Sequence, residues 1–130
     1  MYKLISLLAI VGLLIFSSCK DENADGCKIV FPDSGKVSYL QSVQPLFDCS
    51  CSYSGCHDDG TKIERGFSLT DFGNFRYSHI IIPGDPDASP LIRRIEGLPP
   101  GNPMPPDREP LNLNQKNGMR RWVLQGAQYN

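Results

Sequence analysis

Apolar positions along the chain fall into a few short helical stripes separated by polar, glycine- and proline-rich stretches. Val37, Leu40, Val43, Leu46 and Phe47 follow the three- and four-residue spacing of an amphipathic helix, which is expected to end near Pro45. Ser89-Pro90 followed by Leu91 to Ile95 and then Gly97 predicts a second, short helix, with serine at the cap, proline in the first turn and glycine at the close. Asn112 to Gln115 has the form of a capping box and opens a last helix carrying Met119, Trp122 and Val123 on one side. Gly118 inside that helix costs about 1 kcal/mol in propensity, and is expected to allow close packing against the first helix. Lys20 to Lys36 shows no sustained periodicity and reads as a linker, which puts the folded domain at 37–130. The predicted class is all-α, small and loop-rich, with three or more short helices.

The N-terminus has a different pattern. One charge, Lys3, precedes an apolar run from Leu4 to Phe16, too short to cross a bilayer, and this reads as the start of a signal peptide. Phe16-Ser17-Ser18-Cys19 then resembles the bacterial lipobox, which implies cleavage after residue 18 and acylation of Cys19 with palmitate-type chains. The expected organisation is a signal peptide at 1–18, a lipidated tether at 19–36 and the domain at 37–130. Lys20-Asp21-Glu22 resembles the export signal of surface lipoproteins in one group of Gram-negative bacteria. The expected location is therefore the cell envelope: the outer membrane, surface-exposed or facing the periplasm.

Composition narrows the function classes. With 13 Lys+Arg against 14 Asp+Glu there is no basic excess for nucleic acid to recognise, so no nucleic-acid partner is expected. Gly and Pro together make 23 of 130 residues, so the fold is expected to need a staple or a cofactor to supplement a small core.

After Cys19, four cysteines remain: Cys27, Cys49, Cys51 and Cys56. An envelope location favours disulfides or covalent cofactors over free thiols. Cys51 and Cys56, with His57 directly after, suit a c-type haem site, in which two thiols bond the haem and the adjacent imidazole binds its iron. Four residues lie between these thiols where two are usual, and Gly55 gives the extra length a place to bulge out. This assignment leaves Cys27 and Cys49 as a candidate disulfide. Other readings of the same residues stay open. Cys49, Cys51, Cys56 and His57 are zinc-type ligands, though the adjacent Cys56 and His57 turn awkwardly to one metal. Two disulfides would leave His57 a bystander. A thioredoxin-type site would need a Cys-x-x-Cys that is absent.

Nine of the eleven prolines lie between Pro83 and Pro110, and among them sits Met104-Pro105-Pro106. A methionine between prolines is not a helix-core residue, and a thioether on a stiff loop suits the distal ligand of a haem iron. Met119, at helical spacing from Trp122 and Val123, is expected in the core. His79 is expected at the surface. Phe67, Leu69, Phe72, Phe75 and Tyr77 are expected to cover the haem edge or fill the core. Arg93 and Arg94 are expected to pair with haem propionates or to face water.

Several of these pieces occur in one order: Val43 to Phe47, Cys51 through His57, Gly66 to Leu69, Pro83 to Pro86, Leu91 to Ile95, Met104 to Pro106, and Trp122 to Ala127. In that order they resemble the planctomycete-type cytochrome c domain. The resemblance implies a single-haem cytochrome c-like fold holding haem c, with Cys51 and Cys56 as attachment sites, His57 as proximal and Met104 as distal iron ligand. It implies an electron carrier rather than an enzyme, with redox proteins of the envelope as partners and a membrane reached through the lipid anchor. Weak peroxidase activity would require Met104 to leave the iron. The alternative is a haem-free, disulfide-stapled surface lipoprotein acting as a binding module.

Overall fold

In the computed structural model, which describes residues 27–130, helix formation starts at Ser38, whose hydroxyl accepts the N–H of Gln41 (3.2 Å). The lipidation expected at Cys19 lies outside the described residues. The first turn, Tyr39–Val43, is π-helical, and α1 follows over Gln44–Ser50. Pro45 stands in the first turn of α1, where its missing N–H leaves no bond unmade, so the helix continues past the proline instead of ending there. The wide turn shifts the phase of the stripe. Tyr39 takes the inward place with Val43, Leu46 and Phe47, and Leu40, expected inside, is 53% exposed.

The later elements are short: α2 over Lys62–Arg65, α3 over Phe72–Phe75, α4 over Pro90–Ile95 and α5 over Leu113–Leu124. No strand occurs among the described residues, so the all-α, loop-rich class stands. The capping box of α5 is formed in both directions, Gln115 N–H to Asn112 Oδ1 (2.9 Å) and Asn112 N–H to Gln115 Oε1 (3.0 Å). At α4 the cap differs from expectation. Ser89 holds the N-cap position, but its buried hydroxyl accepts from Ile82 N–H (2.9 Å) and donates to the Asp85 carbonyl (2.7 Å), joining the preceding loop and not the helix. The close of α4 follows the glycine rule. Gly97 is left-handed (φ 72°), and the N–H groups of Gly97 and Leu98 return to the carbonyls of Arg94 and Arg93.

Tyr39 sits at the centre of the aromatic core, with Phe72 edge-on (5.1 Å), Trp122 (5.7 Å) and Tyr129 (5.3 Å) around it. Phe75 packs against Tyr39 and Phe72 and brings in Phe47 edge-on (5.4 Å), and Met119 and Val123 are buried beside Trp122. Tyr77 stands outside this cluster, 80% exposed, with the Arg76 guanidinium over its ring (5.6 Å to the centre). Arg120 ties α5 to the α4 region through the carboxylates of Glu96 and Asp87.

Residues 27–36 do not behave as a free linker. Cys27, Ile29 and Phe31 alternate inward with Lys28 and Val30 outward, and Phe31 is 1% exposed. Asn114 of α5 bonds Phe31 in both directions, accepting its N–H (2.8 Å) and donating to its carbonyl (3.0 Å). Gly118 faces this segment and not the first helix: a Cβ there would overlap the Phe31 ring. Gly118→Ala, favoured by helix propensity, is therefore expected to destabilise the domain by about 1–3 kcal/mol through overpacking. Urea unfolding measures it, and an unchanged midpoint would show that Phe31 yields freely.

Candidate functional site

The site begins where α1 ends. Cys51 N–H still bonds the Phe47 carbonyl (2.8 Å), and the chain then makes a tight turn in which Cys56 N–H reaches the Tyr53 carbonyl (2.9 Å). Gly55 is the third residue of that turn, with φ 82°, a conformation that glycine adopts without steric cost. His57 N–H bonds the Cys51 carbonyl (3.2 Å), so the residues between the two thiols form a loop closed at its base. Ser54 and Gly55 are exposed at its tip. The widened spacing thus bulges away from the site and leaves Cys51 and His57 adjacent.

Asp58 braces the loop. Its carboxylate accepts from Gly55 N–H (3.2 Å), Thr61 N–H (2.9 Å) and the Thr61 hydroxyl (2.9 Å), and these bonds, the hydroxyl first, hold its carboxyl below the usual range. The Thr61 hydroxyl also donates to the Cys56 carbonyl (2.6 Å). Asp59 performs the same service for the next segment, accepting from the hydroxyls of Ser68 (2.6 Å) and Thr70 (2.8 Å). Leu69 N–H then bonds the His57 carbonyl (2.8 Å).

The His57 ring lies parallel to Phe67, with centroids 4.7 Å apart and planes within 10°. Burial, then the nearby Arg65 charge, lowers its pKa, so the imidazole is neutral at pH 7, the form that binds metals. His57 Nδ1 is buried and makes no hydrogen bond, a condition that costs free energy and that the fold leaves uncorrected. Burial, with smaller contributions from Cys56 and Asp48, pushes the Cys51 thiol up to about 12.

Across from these residues runs the proline-rich loop. Met104 N–H bonds the Arg94 carbonyl (2.9 Å), and Arg94 Nη1 donates to the Asn102 carbonyl (3.1 Å), so the loop is folded back on α4. Arg93 turns away to the Pro99 carbonyl. Gly101 has φ 98°, in the left-handed region that favours glycine, and lies against the Arg94 guanidinium.

The result is a pair of adjoining cavities, about 130 and 500 Å³, that share Cys51, His57, Ile95 and Met104 as walls. Cys56 lines the smaller one with Arg65 and Arg108; Phe67, Leu69, Leu91 and Arg94 line the larger. All four candidate haem residues therefore meet at one apolar space with cationic edges. Cys51 and Cys56 carry free thiols, while Cys27 and Cys49 form the expected disulfide, with Cα atoms 5.6 Å apart. That bond removes Cys49 from the zinc-type set. His79 is exposed, as expected, and Phe72 and Phe75 belong to the aromatic core.

Residues 54–108 match the family model for Planctomycete cytochrome C. Over these 55 of its 130 residues the chain is similar to the planctomycete cytochrome C family. The matched stretch holds Cys56, His57 and Met104, while Cys51, α1 and α5 lie outside it. No curated protein and no solved structure matches the chain. That similarity points to a haem cofactor, and the residues present fit one: two unbonded thiols, an imidazole without a hydrogen bond at Nδ1, and a thioether, around an apolar space. Sequence reasoning missed Tyr53, Arg65 and Arg108. Arg108 stacks on the Tyr53 ring (3.3 Å to its centre) and Tyr53 donates to the Cys49 carbonyl; residues this far apart carried no shared motif.

Proposed function

We propose that this chain is a single-haem c-type cytochrome, tethered to the cell envelope by acyl chains on Cys19, that passes single electrons between redox proteins there. The observation that carries this reading is the meeting of Cys51, Cys56, His57 and Met104 at one apolar cavity. Cys51 and Cys56 would hold the haem through thioethers, and His57 and Met104 would supply ligands to its iron. Such a group supplies a one-electron iron couple, raised in potential by Met/His ligation.

The chain's own residues do the rest. Phe67 fixes the plane of the His57 ring, and the Met104–Arg94 backbone bond holds the thioether loop in place. Ile95, Leu91 and Leu69 keep water from the space between. Arg94, with one guanidinium nitrogen on the Asn102 carbonyl, is placed to meet a carboxylate at the cavity edge. Without residues 1–18 the net charge would be −2, so docking to partners would be weakly steered and brief. The free state of Cys51 and Cys56 weighs against a haem-free stapled scaffold.

The test is a pyridine haemochrome spectrum of the protein made with a c-type maturation system, beside a haem-stained denaturing gel. A c-type spectrum with stain surviving denaturation is expected. No haem, with Cys51 and Cys56 oxidised, would overturn the proposal. Met104→Ala is expected to change the haem spectrum and to open the iron to small ligands such as carbon monoxide. An unchanged spectrum would remove Met104 as ligand.

A further inference from the structure

The three cysteines at positions 49, 51 and 56 stand within eight residues of chain, yet only two of them line the cavity with His57 and Met104. In an oxidising compartment, three neighbouring thiols have three ways to pair, and each pairing consumes at least one thiol of the cavity. The fold supplies a fourth cysteine from far along the backbone. Cys27 reaches Cys49 because its own segment is clamped to α5. Gln115 Nε2 donates to the carbonyls of Cys27 (2.8 Å) and Ile29 (3.1 Å), while Asn114 holds Phe31 in both directions. Gln115 is 2% exposed and already closes the capping box of α5 through its Oε1, so one side chain both starts the helix and sets the position of Cys27.

We propose that Cys27 is the residue that determines which thiols of this domain carry haem: by bonding Cys49 it keeps that third thiol from pairing with Cys51 or Cys56, the two at the cavity. The proposal rests on the haem reading above for its purpose, but the pairing it describes is tested separately. In the step itself the Cys27 and Cys49 thiols form one S–S bond, and the disulfide of an envelope dithiol oxidase takes up the two electrons and two protons, becoming a dithiol. Cys27 is thus a positioning residue, acting on attachment through Cys49.

Comparison of Cys27→Ser with the double variant Cys27→Ser/Cys49→Ser tests it, because both lack the same cross-link and differ only in whether Cys49 is loose. In the single variant, doubly linked haem per chain is expected to fall to about half or less, with Cys49 recovered in a disulfide to Cys51 or Cys56. In the double variant it is expected to return to the wild-type value. A single variant with wild-type haem content would overturn the proposal. So would a double variant as poor as the single, which would make the bond a staple only. The same chains made without the maturation system are to be alkylated and peptide-mapped. Cys51 and Cys56 alkylated in the wild type, and one of them bonded to Cys49 in Cys27→Ser, is the expected result whether or not haem is ever bound. Cys49 left as a free thiol in that variant would overturn the proposal. A wild-type protein without haem but with the expected map would sink the electron-carrier reading and leave the thiol pairing standing.

Discussion

Alanine at both Cys51 and Cys56 is expected to reduce haem surviving denaturation to background, while either single substitution leaves a weaker stain held by the remaining thioether. The two thiols are free, both line the smaller cavity, and the Cys51 carbonyl is bonded to the His57 amide, so they and the imidazole are held together by backbone as well as by sequence. The four residues between the thiols do not weaken this expectation, because the turn at Gly55 carries Ser54 and Gly55 out to solvent while Tyr53 lines the cavity. Helical circular dichroism of the haem-free chains is the control for misfolding. Stain retained by the double variant would place the attachment elsewhere and would leave the Cys-x4-Cys-His spacing without a role.

Trp122→Ala is expected to cost about 3–5 kcal/mol, because it removes the largest buried ring of the core and leaves a cavity that its neighbours fill only in part. Trp122 is 1% exposed, lies against Tyr39 and donates its Nε1–H to the Gln128 carbonyl (3.0 Å), fixing the segment whose Asn130 accepts the N–H groups of Tyr39 and Leu40. For a domain of this size each kcal/mol moves the midpoint by roughly 4–8 °C, so the melting temperature is expected to fall by well over 10 °C. Differential scanning calorimetry of the haem-free domain measures this directly. A fall of only a few degrees would mean that the core closes around the loss and that Tyr39, not Trp122, is its main support.

Local signals in the sequence were sound where one residue decides one conformation. The Asn112–Gln115 box, the closing turn at Gly97 and the inward face of Met119, Trp122 and Val123 all depend on neighbours within a turn or two. Such signals survive tertiary packing because their partners are already fixed by chain connectivity. The failures share the opposite property. Leu40 fits the stripe of a regular helix, and the π-helical turn before Pro45 displaces it by changing the phase. Ser89 has the composition of a cap, but a buried hydroxyl satisfies whichever backbone groups lie nearest, and those belong to the loop at Ile82 and Asp85. The alternation of Cys27, Ile29 and Phe31 was too short to stand out, and becomes meaningful only against the polar side chains of α5 that receive it.

At the site, the sequence by itself determined the chemical set: two thiols, an imidazole directly after the second, and a thioether held between prolines. Those are choices of residue type and short spacing, and elementary chemistry limits what they can do. The tertiary structure alone decided that Met104 faces His57 across one cavity, that Arg94 and not Arg93 lines it, and that Cys49 belongs to Cys27. Each of those outcomes joins segments far apart in the chain. Such contacts follow from how the helices pack and which polar groups must find partners once water is excluded, and no short window of sequence carries that information.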